Sequence, residues 1–445
     1  MTNNILLVAF QFPPMSGSSG LLRVLKFCRH LPEFGWTPTV ITANPRMYEE
    51  TNERQLDLIP PGLEIVRASG LDTRRHLSVR GRYLRFLAIP DAWVSWSVGA
   101  VASALRVMRQ KKIDVVFTTF PVATAILIGL ILHYMKGIPW VVDFRDSMTE
   151  DNYPRNPATW RTWRWLEKQA IRRASLILFT ARSAIRMYRK RYPELLEQKC
   201  LLLPNGYDEE DFAHLPLSLR EPSQPVRPLR LLHSGLVYPE ERDPWPFFRA
   251  LARLHKEGRI SPETLNVNLR APGFEETYAA AIRDLDLLGI VHLLPRIPYT
   301  QALQECSDVD ALLVMQAANC DHQIPAKAYE YLRIGKPILA LTTQTGDTAA
   351  LLKETGGATI ADLANEQEIA EVLPAFLNAV RSGAHSSPDP IRVRQYARQN
   401  QAKVLADALA VLCQQTGFVR EYALGEDSNS AAISSEVKPA RVSKE

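Results

Sequence analysis

The chain has 445 residues, of which 46% are hydrophobic and 23% are charged. That length predicts two or three domains with their own cores, and the composition argues against a largely disordered protein. The five cysteines are scattered and include no CxxC pair, so neither a disulfide framework nor a structural zinc site is indicated. A reducing, cytoplasmic environment fits this pattern.

The net charge of +5 divides unevenly along the chain. Residues 1–205 carry 29 Lys and Arg against 16 Asp and Glu, a balance of +13, and the remainder carries 24 against 32, a balance of −8. Basic clusters in the first half can lie along an anionic membrane surface, although solvated helix faces explain them equally well, and nucleic-acid binding is disfavoured. The clusters are Arg74 and Arg75, Arg80 and Arg82, Lys111 and Lys112, Arg172 and Arg173, and residues 189–191.

Two apolar stretches are candidates for a leader or a membrane span. Residues 1–10 lack a basic flank and end in six apolar residues before Gln11, which is too short for a signal peptide and predicts a first strand. Residues 121–135 are interrupted by His133 and fall short of the roughly 20 residues that cross a bilayer. We expect a buried helix there.

Short β-branched or leucine-rich runs alternate with longer helical patterns along the whole chain, which predicts an α/β fold with parallel sheets. Each half holds enough strand candidates for a sheet of its own. The candidates are residues 5–10, 39–42, 63–67, 114–118, 140–144, 176–180, 200–203, 229–234, 266–270, 291–294, 311–315, 338–341 and 358–360.

A proline-rich stretch separates the two halves. Its prolines cannot donate to a sheet and disfavour a helix, so we place a linker at residues 206–228, between domains 1–205 and 229–385. A C-terminal helical segment, 386–420, is expected to pack back toward the first domain. Residues 425–445 hold few large apolar side chains and are expected to be disordered.

The most informative motif is PAKAYEYLRIGKP at residues 325–337. Pro325, a Lys and a Glu three residues apart, and a glycine before an apolar run predict a helix that starts beside a parallel sheet. The start of such a helix favours anions, Lys327 adds a full charge, and Glu330 can accept hydrogen bonds from ribose hydroxyls. This indicates a nucleotide-diphosphate pocket, with a surface Lys/Glu pair on an ordinary helix as the alternative.

A second cation is expected at the same cleft. The stretch LLHSGL at residues 231–236 is a strand that stops at Gly235, and Arg242 follows on the loop before a helix that begins near Pro244. Two cations from different loops can clamp a departing diphosphate when no metal is used. Asp308 and Asp310 resemble a metal pair, but a helix-to-strand junction is the favoured interpretation.

In the first half, a Gly/Ser loop at residues 11–20 follows the first strand. Open α/β sheets bind ligands at such loops, and glycine lets backbone N–H groups approach a phosphate or sugar, so Ser16 and Gly17 are candidates. The loop is not GxGxxG, which argues against an NAD enzyme. A surface loop without function is the alternative.

Two further segments of the first half carry candidate residues. A buried strand runs into Asp143 to Asp146, where Asp146 can receive an acceptor hydroxyl and Arg145 can hold an anion; the alternative is an Arg/Asp pair that caps the next helix. Trp93 belongs to an aromatic stretch that can line an acceptor groove, meet lipid headgroups or be core. Asn205 and Gly206 form a turn and a hinge candidate.

These motifs together resemble the family 4 retaining glycosyltransferases of the GT-B fold, particularly bacterial members that build surface polysaccharides. The likeness runs from about Ile5 to about Leu412 and is carried by FPP with GSSG and an arginine, VVDFRD, LLLPNGYDEEDF, LLHSGL with Arg242, and PAKAYEYLRIGKP. It implies two facing Rossmann-like domains, with the acceptor bound mainly to the first and a nucleotide-sugar to the second.

The resemblance also implies site residues and chemistry. Glu330 would bind ribose, Arg242 and Lys327 would neutralise the diphosphate, and the configuration would be retained without an obligatory metal or any cofactor. The candidate donor-binding residues are Gly17, Gly235, Arg242, Ile297, Pro325, Lys327 and Glu330. The candidate acceptor-binding residues are Ser16, Trp93, Arg145 and Asp146, and the catalytic candidates are Arg242, Lys327 and Asp146.

The chain departs from the family pattern at three places. Many relatives have a glutamate eight residues before the position of Glu330, where this chain has His322. Many have a lysine a few residues after Arg242, which is missing here, and Lys327 can compensate. No acceptor-side histidine is evident, which leaves the identity of any catalytic base open.

The expected function is transfer of a sugar from a nucleotide-diphosphate donor to an acceptor hydroxyl, on a lipid-linked glycan at the cytoplasmic face of the membrane. The expected partners are that donor, that acceptor and an anionic membrane surface, with no nucleic acid. Two alternatives stay open: a nucleotide-sugar epimerase of the same fold, and a non-catalytic, membrane-associated nucleotide-sugar-binding subunit.

Overall fold

The structure is a computed structural model that describes residues 2–16, 20–213, 215 and 227–429. Thirteen strands in this part of the chain coincide with the thirteen predicted ones to within two residues at almost every end. They are β1 (Asn3–Val8), β2 (Trp36–Ala43), β3 (Glu64–Ala68), β4 (Val115–Thr119), β5 (Trp140–Phe144), β6 (Leu176–Phe179), β7 (Cys200–Leu202), β8 (Leu229–Ser234), β9 (Leu265–Arg270), β10 (Val291–Leu294), β11 (Ala311–Met315), β12 (Ile338–Leu341) and β13 (Ala358–Ala361).

Helices connect successive strands almost throughout. They are α1 (Gly20–His30), α2 (Thr73–His76), α3 (Trp96–Gln110), α4 (Ala123–Lys136), α5 (Pro157–Arg173), α6 (Arg182–Arg191), α7 (Glu209–Phe212), α8 (Trp245–Lys256), α9 (Glu275–Asp284), α10 (Tyr299–Asp308), α11 (Ala326–Ile334), α12 (Asp347–Thr355), α13 (Glu366–Ser382), α14 (Pro390–Arg394) and α15 (Arg398–Asn429).

The strands form two separate parallel sheets. The first has seven strands in the order β3-β2-β1-β4-β5-β6-β7, and the second has six in the order β10-β9-β8-β11-β12-β13. Both sheets are doubly wound. In each sheet the first strand, β1 or β8, lies inside the sheet, the next two strands add on one side of it, and the later strands add on the other side. Continuous apolar runs suit these strands because both faces of a parallel sheet are covered by helices. The predicted α/β architecture with two parallel sheets is thereby confirmed.

Each sheet is the middle layer of its lobe. In the first lobe, α3, α4, α5 and α6 cover one face, while α1 and the C-terminal α15 cover the other. In the second lobe, α8, α9 and α13 cover one face, while α10, α11, α12 and α14 cover the other. The predicted buried helix is α4, which has eight fully buried residues. Among the described residues, no helix combines the length and the apolarity that a membrane span needs.

Local sequence explains where several helices begin and end. Asn156 precedes Pro157 and accepts hydrogen bonds from the amides of Ala158 and Thr159, which caps α5. Gly335 ends α11 in the left-handed conformation with φ +78°, as the sequence predicts for a glycine stop. Asp308 and Asp310 stand at the α10–β11 junction, and the Asp310 carboxylate accepts from Arg227.

The chain crosses between the lobes twice, at neighbouring places. Most of the predicted linker, residue 214 and residues 216–226, lies outside the described residues. Tyr207 accepts a hydrogen bond from the amide of Arg398 at 2.8 Å, and Gln401 donates to the carbonyl of Asn205 at 2.9 Å. Helix α15 then packs on α1. It extends to Asn429, into the segment predicted to be disordered, and residues 430–445 lie outside the described residues.

Candidate active site between the lobes

The second-lobe half of the site lies where the strand order of its sheet reverses. Strand β8 has β9 on one side and β11 on the other, so the loops that follow β8 and β11 leave in opposite directions and open a crevice at the carboxyl edge. Helix α11 starts at this edge because it connects β11 to β12. The hydroxyl of Tyr331 accepts from the amide of Ser234 at 3.0 Å, which fixes α11 against the end of β8.

Lys327, in the first turn of α11, points at the end of β8. Its Nζ lies 3.0 Å from Nε2 of His233. A side-chain carbon added at Gly235, whose φ is +114°, would lie 2.9 Å from the same Nζ. Only glycine suits that backbone conformation and that close approach, which explains the residue type at the end of this strand.

The His233 ring holds this lysine as a neutral acceptor. Its Nδ1 lies 2.9 Å from the Leu313 carbonyl, so Nδ1 donates there and Nε2 is left to accept from Lys327. Burial, and then the charges of Lys327 and Arg242, hold the pKa of His233 well below its usual value. The imidazole therefore orients the ammonium without adding a charge.

Arg242 reaches the same place from the loop after β8. It donates to the carbonyl of Leu236 and lies over the ring of Tyr238, with its guanidinium carbon 5.4 Å from the ring centroid. Burial, and next the charge of Arg242, lower the pKa of Lys327 to about 7. Lys327 approaches Gly235 and Arg242 donates to the carbonyl of the next residue, Leu236, so the two cations meet the same turn, and an anion bound there would relieve their repulsion.

Glu330 lies one turn further along α11. The hydroxyl of Tyr299 donates to its Oε1 at 2.8 Å, and burial raises the pKa of the Glu330 carboxyl. Ile297 stands two residues before Tyr299, on the loop between β10 and α10, and Pro325 immediately precedes α11. The structure therefore places six of the seven donor candidates around one end of the cleft, and the seventh, Gly17, lies outside the described residues.

The first-lobe half is built on a buried ion pair. Arg23 of α1 donates to both carboxylate oxygens of Asp143, at 3.1 and 3.0 Å, and to the carbonyls of Leu203 and Pro204. Both side chains are almost completely buried. This pair ties α1 to the end of β5 and to the stretch just before the crossing into the second lobe.

Arg145 has partners other than the predicted ones. Its guanidinium donates to the carbonyl of Phe120 at 2.7 Å, to the carbonyl of Gly20 at 2.6 Å and to Oε1 of Gln11 at 3.0 Å. It therefore holds together the loops that follow β1 and β4 and the start of α1. Among the described residues, it forms no ion pair with Asp146, so the alternative of an Arg/Asp cap does not apply.

The remaining acceptor candidates lie along the same carboxyl edge. Asp146 is exposed, and the low-dielectric surroundings of the cleft raise the pKa of its carboxyl. Trp93 packs on Phe10, just beyond β1, with ring centroids 4.5 Å apart. The amide of Ser16 donates to the carbonyl of Glu50 at 3.0 Å. The edge thus presents one carboxyl group, one indole and one polar turn.

Polar contacts join the lobes across the cleft at His322 and at Asp347, whose carboxylate lies 4.0 Å from the guanidinium of Arg186. His322, after β11, lies 3.0 Å from Oε1 of Glu150, after β5, and this hydrogen bond lowers the pKa of Glu150. Asp347, at the start of α12, accepts from the amide of Ser183 at 2.8 Å. His322 is therefore engaged with the first lobe in this conformation.

Three residues of the site escaped prediction from sequence. His233 lies inside the quoted LLHSGL stretch but was given no role, and Tyr299 and Arg398 were not singled out at all. Burial, and then the charge of Arg23, lower the pKa of Arg398 to about 10, and the charge of Glu330 acts on it in the opposite direction. For His233, the sequence did hold a signal, namely an ionisable residue within an apolar run that forms a buried strand.

The chain is similar to known proteins in the sequence of its first lobe and in its fold. The family model described as Glycosyltransferase Family 4 matches residues 22–211, which lie almost entirely in the first lobe. No curated protein matches the chain significantly.

Solved structures of similar shape cover both lobes. HepE from Anabaena, in complex with UDP, has a TM-score of 0.60 and 13% identity over 95% of this chain and 100% of its own. Sucrose-phosphate synthase from Thermosynechococcus elongatus has a TM-score of 0.56 and 13% identity, again over 95% and 100%. WaaG, a glycosyltransferase of lipopolysaccharide biosynthesis, has a TM-score of 0.58 and 14% identity over 91% and 99%. The two-lobed GT-B fold is shared with all three.

Proposed function

We propose that this protein is a glycosyltransferase that moves a sugar from a nucleotide-diphosphate sugar to an acceptor hydroxyl with retention of configuration. The observation that carries the proposal is a pair of cations at the end of β8: Lys327, in the first turn of α11, approaches Gly235, and Arg242 donates to the carbonyl of Leu236. The family match in the first lobe supports it, as do the HepE structures, which hold UDP and UDP-glucose in the same fold.

The second lobe takes the donor. The diphosphate lies between Arg242 and Lys327, with the first N–H groups of α11 directed at its oxygens. Glu330 accepts hydrogen bonds from the ribose hydroxyls. Ile297 and Pro325 line the edge of the nucleotide site. This arrangement stabilises the negative charge that grows on the diphosphate as the bond to the sugar breaks, so the two cations do the work that a metal ion does elsewhere.

The first lobe presents the acceptor. Its hydroxyl oxygen forms a bond to the anomeric carbon on the same face of the sugar from which the diphosphate leaves, while the bond from that carbon to the β-phosphate oxygen breaks and the hydroxyl proton passes to Asp146. Desolvation in the cleft raises the pKa of the Asp146 carboxyl above its usual value, which makes the carboxylate a stronger base. Trp93 and Ser16 line the acceptor side, and Arg145 positions the loops there. The acceptor is a lipid-linked glycan of surface-polysaccharide assembly, met at the cytoplasmic face of the membrane.

The test is acceptor-dependent nucleotide release. The purified protein is incubated with a panel of nucleotide sugars, with and without a membrane lipid extract, and the free nucleotide and the sugar products are measured. Release that requires the extract supports transfer. Isomerised sugar without an acceptor identifies an epimerase, and saturable binding without turnover identifies a binding subunit; either result rejects the proposal.

Matched variants test the assigned residues. Lys327→Ala and Glu330→Ala should each lower turnover, by roughly 100-fold or more for the lysine, because one stabilising group for the leaving diphosphate is lost. Lys256→Ala and Glu276→Ala, at exposed positions of the same lobe, serve as controls and should leave turnover unchanged. Unchanged kinetics in Lys327→Ala would refute its role.

A further inference from the structure

A protrusion on the first lobe collects exposed apolar and basic side chains. It comprises residues 71–90, between β3 and α3, and we call it the 71–90 protrusion. Val79 is 75% exposed, Leu84 61% and Phe86 66%, and Leu71 and Leu77 are also exposed. Isolated exposed apolar residues are ordinary, but a cluster of five on one short segment marks an interaction surface.

The backbone holds these residues together as one folded unit. Val79 and Arg82 pair through two hydrogen bonds, of 2.8 and 3.0 Å, around a turn in which Arg80 and Gly81 both have positive φ. This is the geometry of a tight two-residue hairpin. The hydroxyl of Thr73, in α2, donates to the carbonyl of Leu87 at 2.7 Å, which closes the base of the unit.

Charge selects the kind of partner. Residues 73–90 contain five arginines and no aspartate or glutamate. Arg74, Arg80, Arg82 and Arg85 are exposed and form no ion pair with any described residue, whereas Arg75 donates to the carbonyl of Tyr48. A soluble polyanion would match the arginines but leave Val79, Leu84 and Phe86 in water. An anionic bilayer satisfies both, since apolar side chains enter the acyl boundary while arginines meet phosphates.

The protrusion is attached directly to the acceptor side of the cleft. Trp93 donates from its indole nitrogen to Asp72 at 3.0 Å and packs on Phe10, just beyond β1. Asp91 accepts from the amide and hydroxyl of Thr124, at the start of α4 after β4. A membrane bound to this unit therefore lies beside the carboxyl edge that carries Asp146.

We propose that the 71–90 protrusion docks the protein on an anionic membrane surface, with Val79, Leu84 and Phe86 inserted and Arg74, Arg80, Arg82 and Arg85 on the lipid phosphates. This surface presents the acceptor crevice to lipid-borne substrates, a consequence that rests on the proposed function. The docking itself does not, because it needs neither nucleotide nor acceptor.

The experiment is co-sedimentation of the full chain with vesicles of phosphatidylglycerol and phosphatidylcholine, compared with vesicles of phosphatidylcholine alone. Arg80→Asn with Arg82→Gln should lower partitioning into anionic vesicles about 30-fold, since each arginine near such a surface contributes on the order of 1 kcal/mol. Leu84→Ser with Phe86→Ser should lower it by roughly tenfold or more. Asparagine at position 80 suits the positive φ and keeps the hairpin.

Two controls are matched to these variants. Arg106→Gln with Arg109→Gln removes the same charge from α3, whose last turn lies at the opposite end of the lobe, and Ile391→Ser removes an 82% exposed apolar side chain from the second lobe. Both should partition like the natural chain. Thermal midpoints of all variants report whether the fold is kept.

Loss of partitioning in both protrusion variants, with the controls unchanged, supports the proposal. Loss in the arginine variant alone points to a soluble polyanion and overturns it, as does unchanged partitioning in either protrusion variant. Nucleotide release is measured in parallel with a membrane lipid extract solubilised in detergent. This separates a failure of docking from a failure of the proposed transferase activity.

Discussion

The ammonium of Lys327 donates to a neutral, buried histidine while a guanidinium lies near it. This combination depresses the affinity of the lysine for its proton, and a bound diphosphate would restore it. The sequence predicted the residue types at this point, although the same proline, lysine and glutamate at helix spacing also fit an ordinary surface helix. The partner, His233, was not predicted, since nothing local shows that its ring faces a residue 94 positions later.

Donor binding should therefore depend on pH in a definite direction. The pKa of Lys327 is about 7 before an anion binds, and the bound diphosphate raises it, so affinity should fall as pH rises from 7 toward 9, by up to about tenfold per pH unit. A nucleotide sugar is the proper probe, measured by calorimetry, because its diphosphate diester does not titrate in this range.

The matched variant is Lys327→Arg, whose guanidinium stays charged throughout the range. Its affinity should vary little between pH 7 and pH 9. An equally steep decline in this variant would assign the pH dependence to another group.

The buried ion pair between Arg23 and Asp143 stabilises the first lobe. Asp143→Ala should cost the first lobe roughly 3–5 kcal/mol in free energy of unfolding, because it leaves a buried guanidinium without its counterion. The double variant Arg23→Met/Asp143→Leu should cost less than the single one. Denaturant titration followed by tryptophan fluorescence measures both, and a single variant as stable as the natural chain would contradict the assignment.

At the scale of elements, periodicity and turn residues predicted all thirteen strands, and the glycine stop of α11 came out at the predicted residue. Parallel strands are easy to recognise because both faces are buried and the apolar run is continuous. The partners of Arg145 could not be predicted from the sequence, because Gln11, Gly20 and Phe120 belong to three separate segments. Side-chain pairing of that kind depends on how the loops converge in space rather than on local pattern.

Helix α15 stabilises a lobe to which it is not adjacent in sequence. Leu405 and Leu409 are fully buried in the first-lobe core, against α1. Leu405→Ala should cost about 2–5 kcal/mol, and hydrogen exchange should show the loss in α1 and β1 rather than in the second lobe. Val411→Ala, at a half-exposed site on the same helix, is the control; a loss of protection confined to the second lobe would contradict the packing.

For the whole molecule, polar contacts bridge the cleft between His322 and Glu150 and at Asp347, which accepts from the amide of Ser183 and lies 4.0 Å from the guanidinium of Arg186. Contacts of this kind hold a conformation without locking it, because partly exposed pairs contribute only roughly 0.2–1 kcal/mol. The GT-B architecture followed from the order of motifs, whereas the degree of closure is set by a balance too small to be read from sequence.

Glu150→Gln should shift the population of conformations toward wider separation of the lobes. The expected change is up to about fivefold in the ratio of open to closed forms, seen as a larger radius of gyration in solution scattering of the unliganded protein. A nucleotide sugar should reverse it. Glu276→Gln, far from the cleft on α9, should scatter like the natural chain. An unchanged radius of gyration in Glu150→Gln would show that the contact between His322 and Glu150 does not favour the closed form.

The crossing of α15 onto the first lobe has a consequence for biosynthesis. The groove on α1 that receives Leu405 stays uncovered while the ribosome adds the second lobe, a delay on the order of 10–40 s for roughly 200 residues at typical translation speeds. Until α15 is made, the nascent chain exposes an apolar surface in its amino-terminal half. The amino-terminal half is thus completed last, and premature termination anywhere before the final helix would release a polypeptide that chaperones must hold or proteases remove.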